Sequence, residues 1–295
     1  MKTLVVITGP TAVGKTKAAI AVAQHLGCEI VCADSRQIYR DIPICTAAPT
    51  AAERAAVPHH LVAFKALDES YSAADYESDV LSLLPDLWQR SDYAVMCGGS
   101  MLYVHAVCHG IDELPTIAPE LRQHMLERLE HEGLESLLAD LERLDPDYYR
   151  VVDRSNPRRV VHAIEICLQA GVPYSTLRTG AAKPRPRRTV SIGLNMERDL
   201  LFDRINRRVD AMIDAGLEAE ARSVQHLRHL NSLNTVGMKE MMAYFDGVMD
   251  RDTAIARIKK NTRVYAKKQL TWLRRDSDIV WCSPSDTLAT AERLI

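Results

Sequence analysis

The apolar run at residues 4–7 is followed, one residue later, by GPTAVGKT at residues 9–16, which fits G-x-x-x-x-G-K-[ST]. A strand that ends in such a loop and continues as a helix restricts the fold sharply. Gly9 and Gly14 permit the tight backbone path whose amide hydrogens turn inward as an anion nest. Lys15 adds charge, Thr16 can ligate Mg²⁺, and the following helix presents its positive N-terminus. The pattern specifies phosphate rather than nucleotide. The bland alternative is a glycine-rich turn that merely joins strand to helix.

Residues 29–33 (EIVCA) and 93–97 (YAVMC) repeat the short β-branched run of residues 3–8. Runs apolar on both faces indicate parallel strands inside a sheet. Helical periods at 14–26 and 72–90 lie between them, which predicts a doubly wound parallel α/β sheet with ligands at the carboxyl ends of its strands. After Pro115 the pattern becomes helical only, as in APELRQHMLERLEHEG and NPRRVVHAIEICLQAG, and a Pro/Arg/Lys-rich linker at 183–188 closes that segment. Residues 189–195 return to the sheet and 278–282 add a further strand. The expected division is a P-loop α/β core at 1–115, an all-helical insertion at 116–187, and a return to the core at 188–295. Two long helices complete it, one at 198–215 that Gly216 stops and one from about Asp252 to Arg275.

The chain has 295 residues, room for a sizeable core, and a net charge of −2, so any basic surface must be local. Seven cysteines without paired C-x-x-C spacing read as reduced core thiols. No signal-peptide pattern or bilayer-length apolar run is present, and a cytoplasmic monomer is expected.

Around the loop, Asp34 ends the second strand and is a metal-ordering acid, a base facing the reaction, or a plain helix N-cap. Gly98 and Gly99 permit close approach of a ligand and set the Ser100 hydroxyl beside the phosphates, unless they form a bare turn. The C-terminal helix carries Arg257, Lys259, Lys260, Arg263, Lys267, Lys268, Arg274 and Arg275, with Ile255, Ile258, Tyr265 and Trp272 expected in the core. It is either a rod for reading an RNA backbone or a solvated surface helix. Arg204 and Arg208, four residues apart, suit a diphosphate clamp or ordinary surface ion pairs. The His59–His60 pair lacks a third ligand at usable spacing, which favours a structural role over a metal.

Together these motifs resemble one family, the tRNA dimethylallyltransferases, in its bacterial form. The likeness runs through ADSRQIYR, VPHHL, YSAADY, GGSMLY, NPRRVVHAIEI, RINRRVDAMIDAGLEAE, VGMKE and TRVYAKKQLTW. It implies transfer of a dimethylallyl group from dimethylallyl diphosphate to the exocyclic amine of the adenosine at position 37, in the anticodon stem-loop of tRNA. By this resemblance Thr11, Ala12, Val13, Gly14, Lys15, Thr16 and Arg208 bind the diphosphate with Mg²⁺ on Thr16. Asp34 accepts the amine proton, and Ser100 meets the bridging oxygen. Asp34, Ser35, Arg36, Gln37 and Ser100 line the RNA side, as do Asn234, Thr235, Val236, Gly237, Met238 and Lys239. Arg122, Arg158, Arg159, Val160, Val161 and His162 add contacts from the insertion.

Three residues depart from the family pattern. Ser100 stands where Thr is usual, Met238 where Tyr is usual, and His162 where Arg is usual. The competing functions are a small-molecule P-loop kinase, a prenyltransferase acting on free adenine nucleotides, and an RNA-binding protein that uses a nucleotide only as a switch. The basic helix and the helical insertion favour a macromolecular acceptor over the first two.

Overall fold

A computed structural model of the chain describes residues 1–185 and 187–295. Pro186, inside the expected 183–188 linker, lies outside the described residues. Two compact units are formed, one from residues 1–109 with 184–295, the other from 110–183.

The first unit is built on six parallel strands: β1 (Thr3–Thr8), β2 (Ile30–Cys32), β3 (His59–His60), β4 (Tyr93–Cys97), β5 (Arg188–Leu194) and β6 (Ile279–Cys282). Their order is β3-β2-β4-β1-β5-β6. Val5 of β1 pairs with Val95 on one side and Val190 on the other. Every residue of β1 and β2 is buried, as a strand covered on both faces requires. The two-residue β3 has no sequence signal of its own. Its histidines are structural: His60 Nε2 lies 2.6 Å from Glu29, which also accepts from Arg90 at 2.9 Å, and His59 Nδ1 lies 2.7 Å from the Val57 carbonyl. No cluster of three or more His, Cys, Asp or Glu side chains able to hold a metal occurs among the described residues.

Because β2, β4 and β1 are neighbours running in one direction, the turns after them meet at one edge: Asp34, Gly98 and the Gly9 loop. The glycines there are required by backbone contact. A Cβ on Gly98 would stand 1.9 Å from the Ala33 carbonyl oxygen. A Cβ on Gly9, whose φ is +144°, would stand 2.6 Å from the Leu194 carbonyl oxygen. The close approach at Gly98 is thus to the protein's own backbone.

Helix Arg251–Leu273 packs through Ala254, Ile258, Ala266, Gln269 and Leu273. Tyr265 and Trp272, expected in the core, are 40% and 42% exposed. The small alanines bring the helix close to its neighbours and take the buried positions, which leaves both rings part-exposed. Beyond the sheet's edge, Arg185 and Arg187 are anchored by bonds to the carbonyls of Ala106 and Val107, and Arg185 also pairs with Glu77. They cap the C-terminus of helix Met101–His109 with positive charge.

The second unit contains helices Pro119–Leu144, Pro146–Val151, Pro157–Ala170 and Tyr174–Leu177. The first is interrupted at Gly133, with φ +81° and ψ 175°. Helix Pro157–Ala170 starts with Asn156 as cap and Pro157 at the first position, and Gly171 in the left-handed region ends it. Met125, Leu137, Leu141, Val160, Ile164 and Ile166 form its interior. The fully buried Asp145 ties it together, accepting from Tyr148 N at 2.9 Å, Ser175 N at 2.6 Å and Ser175 Oγ at 2.7 Å.

Candidate active site

The loop at residues 9–16 adopts the cradle form. Gly14 has φ +108°, and Ala12 holds φ +65° without being glycine. The amides of Lys15 and Thr16 open helix Lys15–Leu26 and therefore have no intrahelical acceptor. Two amides of the loop are already used, Val13 N by the Pro10 carbonyl at 3.4 Å and Thr11 N by a side chain. Thr11 N donates to Gln269 Oε1 at 2.8 Å, while Gln269 Nε2 donates to the Gly99 carbonyl at 2.8 Å. This buried glutamine fastens the phosphate loop to the turn after β4. The sequence reading missed it, although its signal was present: a polar residue at a core position of a helical period.

A cavity of about 660 Å³ opens at this edge of the sheet. Thr11, Ala12, Gly14, Lys15 and Thr16 line it, together with Asp34, Ser35, Arg36 and Gln37. Arg204 and Arg208 reach it from helix Arg198–Asp214, Asn234, Thr235, Val236 and Gly237 from the segment before helix Met238–Phe245, and Lys239 from that helix's first turn. Not every candidate is on its wall: in this unit Ser100 is not, and the side chains of Val13 and Met238 are fully buried in apolar clusters. A Cβ at Gly237 would stand 2.7 Å from Cys45 Sγ, so close packing explains that glycine.

Lys15, Arg204 and Arg208 are among the positive groups that line the cavity. Lys15 Nζ donates to the carbonyls of Gly9 (3.0 Å) and Pro10 (2.8 Å). Burial pushes its ammonium down to about 8, with Cys97 and Asp34 opposing the shift. Burial also lowers the Arg208 guanidinium, again opposed by Asp34. Arg204 extends a guanidinium nitrogen to 3.3 Å from where a Gly14 Cβ would be. Neither arginine has an ion pair or a side-chain hydrogen bond among the described residues.

Asp34 divides its work. Oδ1 accepts from the amides of Arg36 (2.9 Å) and Gln37 (3.4 Å), forming the turn cap considered from sequence. Oδ2 has no hydrogen-bond donor among the described residues. Capping therefore leaves one carboxylate oxygen for other chemistry. Arg36 is held by the Asn231 and Ser232 carbonyls, both at 3.0 Å, and Gln37 by those of Thr46 and Ala47. Ser100 Oγ accepts from Ser35 N at 2.7 Å and lies 3.1 Å from Ser35 Oγ; it is buried and not on the cavity wall.

Part of the cavity wall is apolar. Val209, Met212, Leu217, Val236, Ile258 and Cys45 belong both to its wall and to one hydrophobic cluster. A single space thus has a cationic phosphate nest, a carboxylate, and an apolar wall.

In the helical unit, Arg122, Arg158 and Arg159 are exposed. Arg122 lies 3.7 Å and His162 3.8 Å from the buried Glu165. Burial lowers the His162 imidazole. Val160 and Val161 are part of this unit's core, so their side chains are occupied by packing. Some charge of the basic helix is also used within the protein: Lys259 pairs with Asp210 at 2.5 Å, and Arg263 donates to Asn206 at 2.6 Å.

Residues 37–276 match the family model described as IPP transferase. The chain is 53% identical over 282 residues to tRNA dimethylallyltransferase 1 of Phocaeicola vulgatus, covering 96% of this chain and 94% of the relative. It is 50% identical over 294 residues to tRNA dimethylallyltransferase 1 of Bacteroides thetaiotaomicron, covering 100% and 96%. The full-length tRNA isopentenylpyrophosphate transferase of Bacillus halodurans superposes with a TM-score of 0.73 at 36% identity, over 99% of this chain and 95% of that one. A eukaryotic dimethylallyltransferase acting on tRNA gives a TM-score of 0.82 at 25% identity, over 99% and 78%. With likeness of this extent in sequence and in fold, the chain belongs to the IPP transferase family.

Proposed function

We propose that this chain transfers a dimethylallyl group from dimethylallyl diphosphate to the exocyclic amine of adenosine 37 in the anticodon stem-loop of tRNA, releasing diphosphate. The observation that carries this reading is the makeup of one cavity. Its nest and unpaired cations suit a departing diphosphate, its carboxylate suits an amine that must lose a proton, and its apolar wall suits a five-carbon chain.

The allylic C–O bond breaks toward the loop. Charge developing on the bridging oxygen and the diphosphate meets the loop amides, Lys15, Arg204 and Arg208, groups already positioned before the reaction. The amine nitrogen bonds to the allylic carbon, and its proton passes to Asp34 Oδ2, while Oδ1 keeps its turn bonds. Ser100 contributes by fixing Ser35, next to the acid. Thr16 lines the cavity with no side-chain partner among the described residues, which fits Mg²⁺, an ion that takes few protein ligands and completes its sphere with phosphate and water. Bound there, it supplies further neutralisation of the leaving group.

A stacked adenine cannot reach the carbon, so the base is everted into the cavity. Arg122, Arg158, Arg159 and His162 of the helical unit read the RNA backbone. With tRNA as acceptor the enzyme works in the cytoplasm, as a monomer. No described helix is long and apolar enough to cross a membrane.

The test supplies purified protein with dimethylallyl diphosphate, Mg²⁺ and an anticodon stem-loop bearing adenosine 37, and weighs the RNA. A gain of one prenyl group is expected. Unchanged RNA alongside phosphate transfer from ATP to a small acceptor would instead establish a kinase.

A further inference from the structure

Tyr265 belongs to the cavity, not to the core that its helical spacing predicts. It lines the same cavity as Asp34, Arg36 and Thr262, and the residue is 40% exposed. The charged groups that act on its hydroxyl are Asp34 and Arg36, and burial together with Asp34 pushes it up to about 12. The ring therefore shares one cavity with the carboxylate, and a reading as a prenyltransferase puts the acceptor base there.

Stacking surface is otherwise scarce there. Met238, in the position where a tyrosine is usual, is fully buried. Among the described residues, His59 is the one other ring on the wall, and its Nδ1 is bound to the Val57 carbonyl. An adenine that leaves its stack loses a π-face on each side, and an aromatic ring restores one of them. A phenol hydroxyl without a hydrogen-bond partner among the described residues adds nothing that the ring needs for this purpose.

We infer that Tyr265 is the platform on which the everted adenine stacks, positioning its amine beside Asp34. Tyr265 is a positioning residue: it takes no proton and forms no bond. The inference rests on the prenyl-transfer reading, and its test is separable from that reading because the wild-type enzyme is assayed alongside.

The experiment compares Tyr265→Ala, Tyr265→Leu and Tyr265→Phe using a stem-loop substrate and dimethylallyl diphosphate. Stacking of a base on an aromatic ring contributes roughly 1–3 kcal/mol, equivalent to roughly 5- to 150-fold. The Ala and Leu variants should lose kcat/KM for RNA in that range, with the KM for dimethylallyl diphosphate within about twofold of wild type. The Phe variant should stay within about threefold of wild type. A stem-loop carrying 2-aminopurine at the acceptor position gives a second readout, since loss of the ring should brighten the bound fluorophore. Overturning results are a Phe variant as impaired as the Ala variant, or Ala kinetics and fluorescence equal to wild type. If the wild-type enzyme itself transfers no prenyl group, the functional reading fails first.

Discussion

In the core unit, Arg204 and Arg208 line the cavity without an ion pair among the described residues. In the helical unit, Arg128 is gripped by Glu132 at 2.6 Å and Asp140 at 2.8 Å, while Arg143 and Arg150 each have an acid three residues away at 2.6 Å. A guanidinium answered by carboxylates is complete and available to nothing else. One placed at a cavity without an ion pair loses hydration and recovers it in full only when an anion arrives. Arg158 and Arg159, exposed and without acid partners within hydrogen-bond reach among the described residues, form a third case: their charge costs little to keep and acts through screened attraction. The core unit thus stores electrostatic tension for a ligand, and the helical unit spends most of its charge on itself.

The contrast can be broken hardest at Asp34. Asp34→Asn retains an oxygen able to accept from Arg36 N and Gln37 N, so the turn survives while the base is lost. Turnover on a stem-loop should fall roughly 10²- to 10⁴-fold, with RNA affinity within about threefold, as read by single-turnover kinetics and equilibrium binding. Equal losses in both quantities would make Asp34 a turn residue and leave the cavity without its base.

Arg208→Met comes next. Hydrogen bonds to charged groups contribute about 1.5–3 kcal/mol, so the KM for dimethylallyl diphosphate should rise roughly 10- to 150-fold. The melting temperature should hold or rise, because a desolvated cation has been removed. A fall in melting temperature with unchanged KM would mean that Arg208 serves the fold and that the cavity stores no tension.

Much of this arrangement was legible in the sequence, and the parts that were not share a cause. The phosphate loop and the central strands are written in local pattern: two-sided burial leaves β-branched runs, and the cradle needs its glycine and lysine at fixed spacing. What escaped depends on contacts distant in sequence. Helical periodicity located helix Arg251–Leu273 but could not say which face its neighbours cover. The alanines at 254 and 266 give close approach, so the smaller residues went inside, Tyr265 to the cavity wall and Trp272 to a part-exposed position. Gln269 looked like one polar residue among many, and only its bonds to Thr11 and Gly99 reveal it as a fastener. Ser100 was placed beside the phosphates by its turn, whereas Ser35, 65 residues away, holds its hydroxyl. The tRNA-side candidates Val160 and Val161 follow a motif, yet the motif's apolar members build the helical unit's core.

The smallest effect belongs to the exposed arginines and sharpens the third case. Replacing both Arg158 and Arg159 with Ala should weaken stem-loop binding several-fold at moderate salt and leave the KM for dimethylallyl diphosphate unchanged. Each phosphate contact on a nucleic acid contributes about 0.7–0.9 to the slope of log affinity against log salt. Titrations across a salt series should therefore give a slope shallower by roughly 1.4–1.8 for the double variant, and the two proteins' affinities should converge as salt rises. If the slope is unchanged while affinity falls, the arginines act through local geometry. They would then resemble Arg208 more than a screened surface charge, and exposure alone would no longer separate the two kinds of arginine.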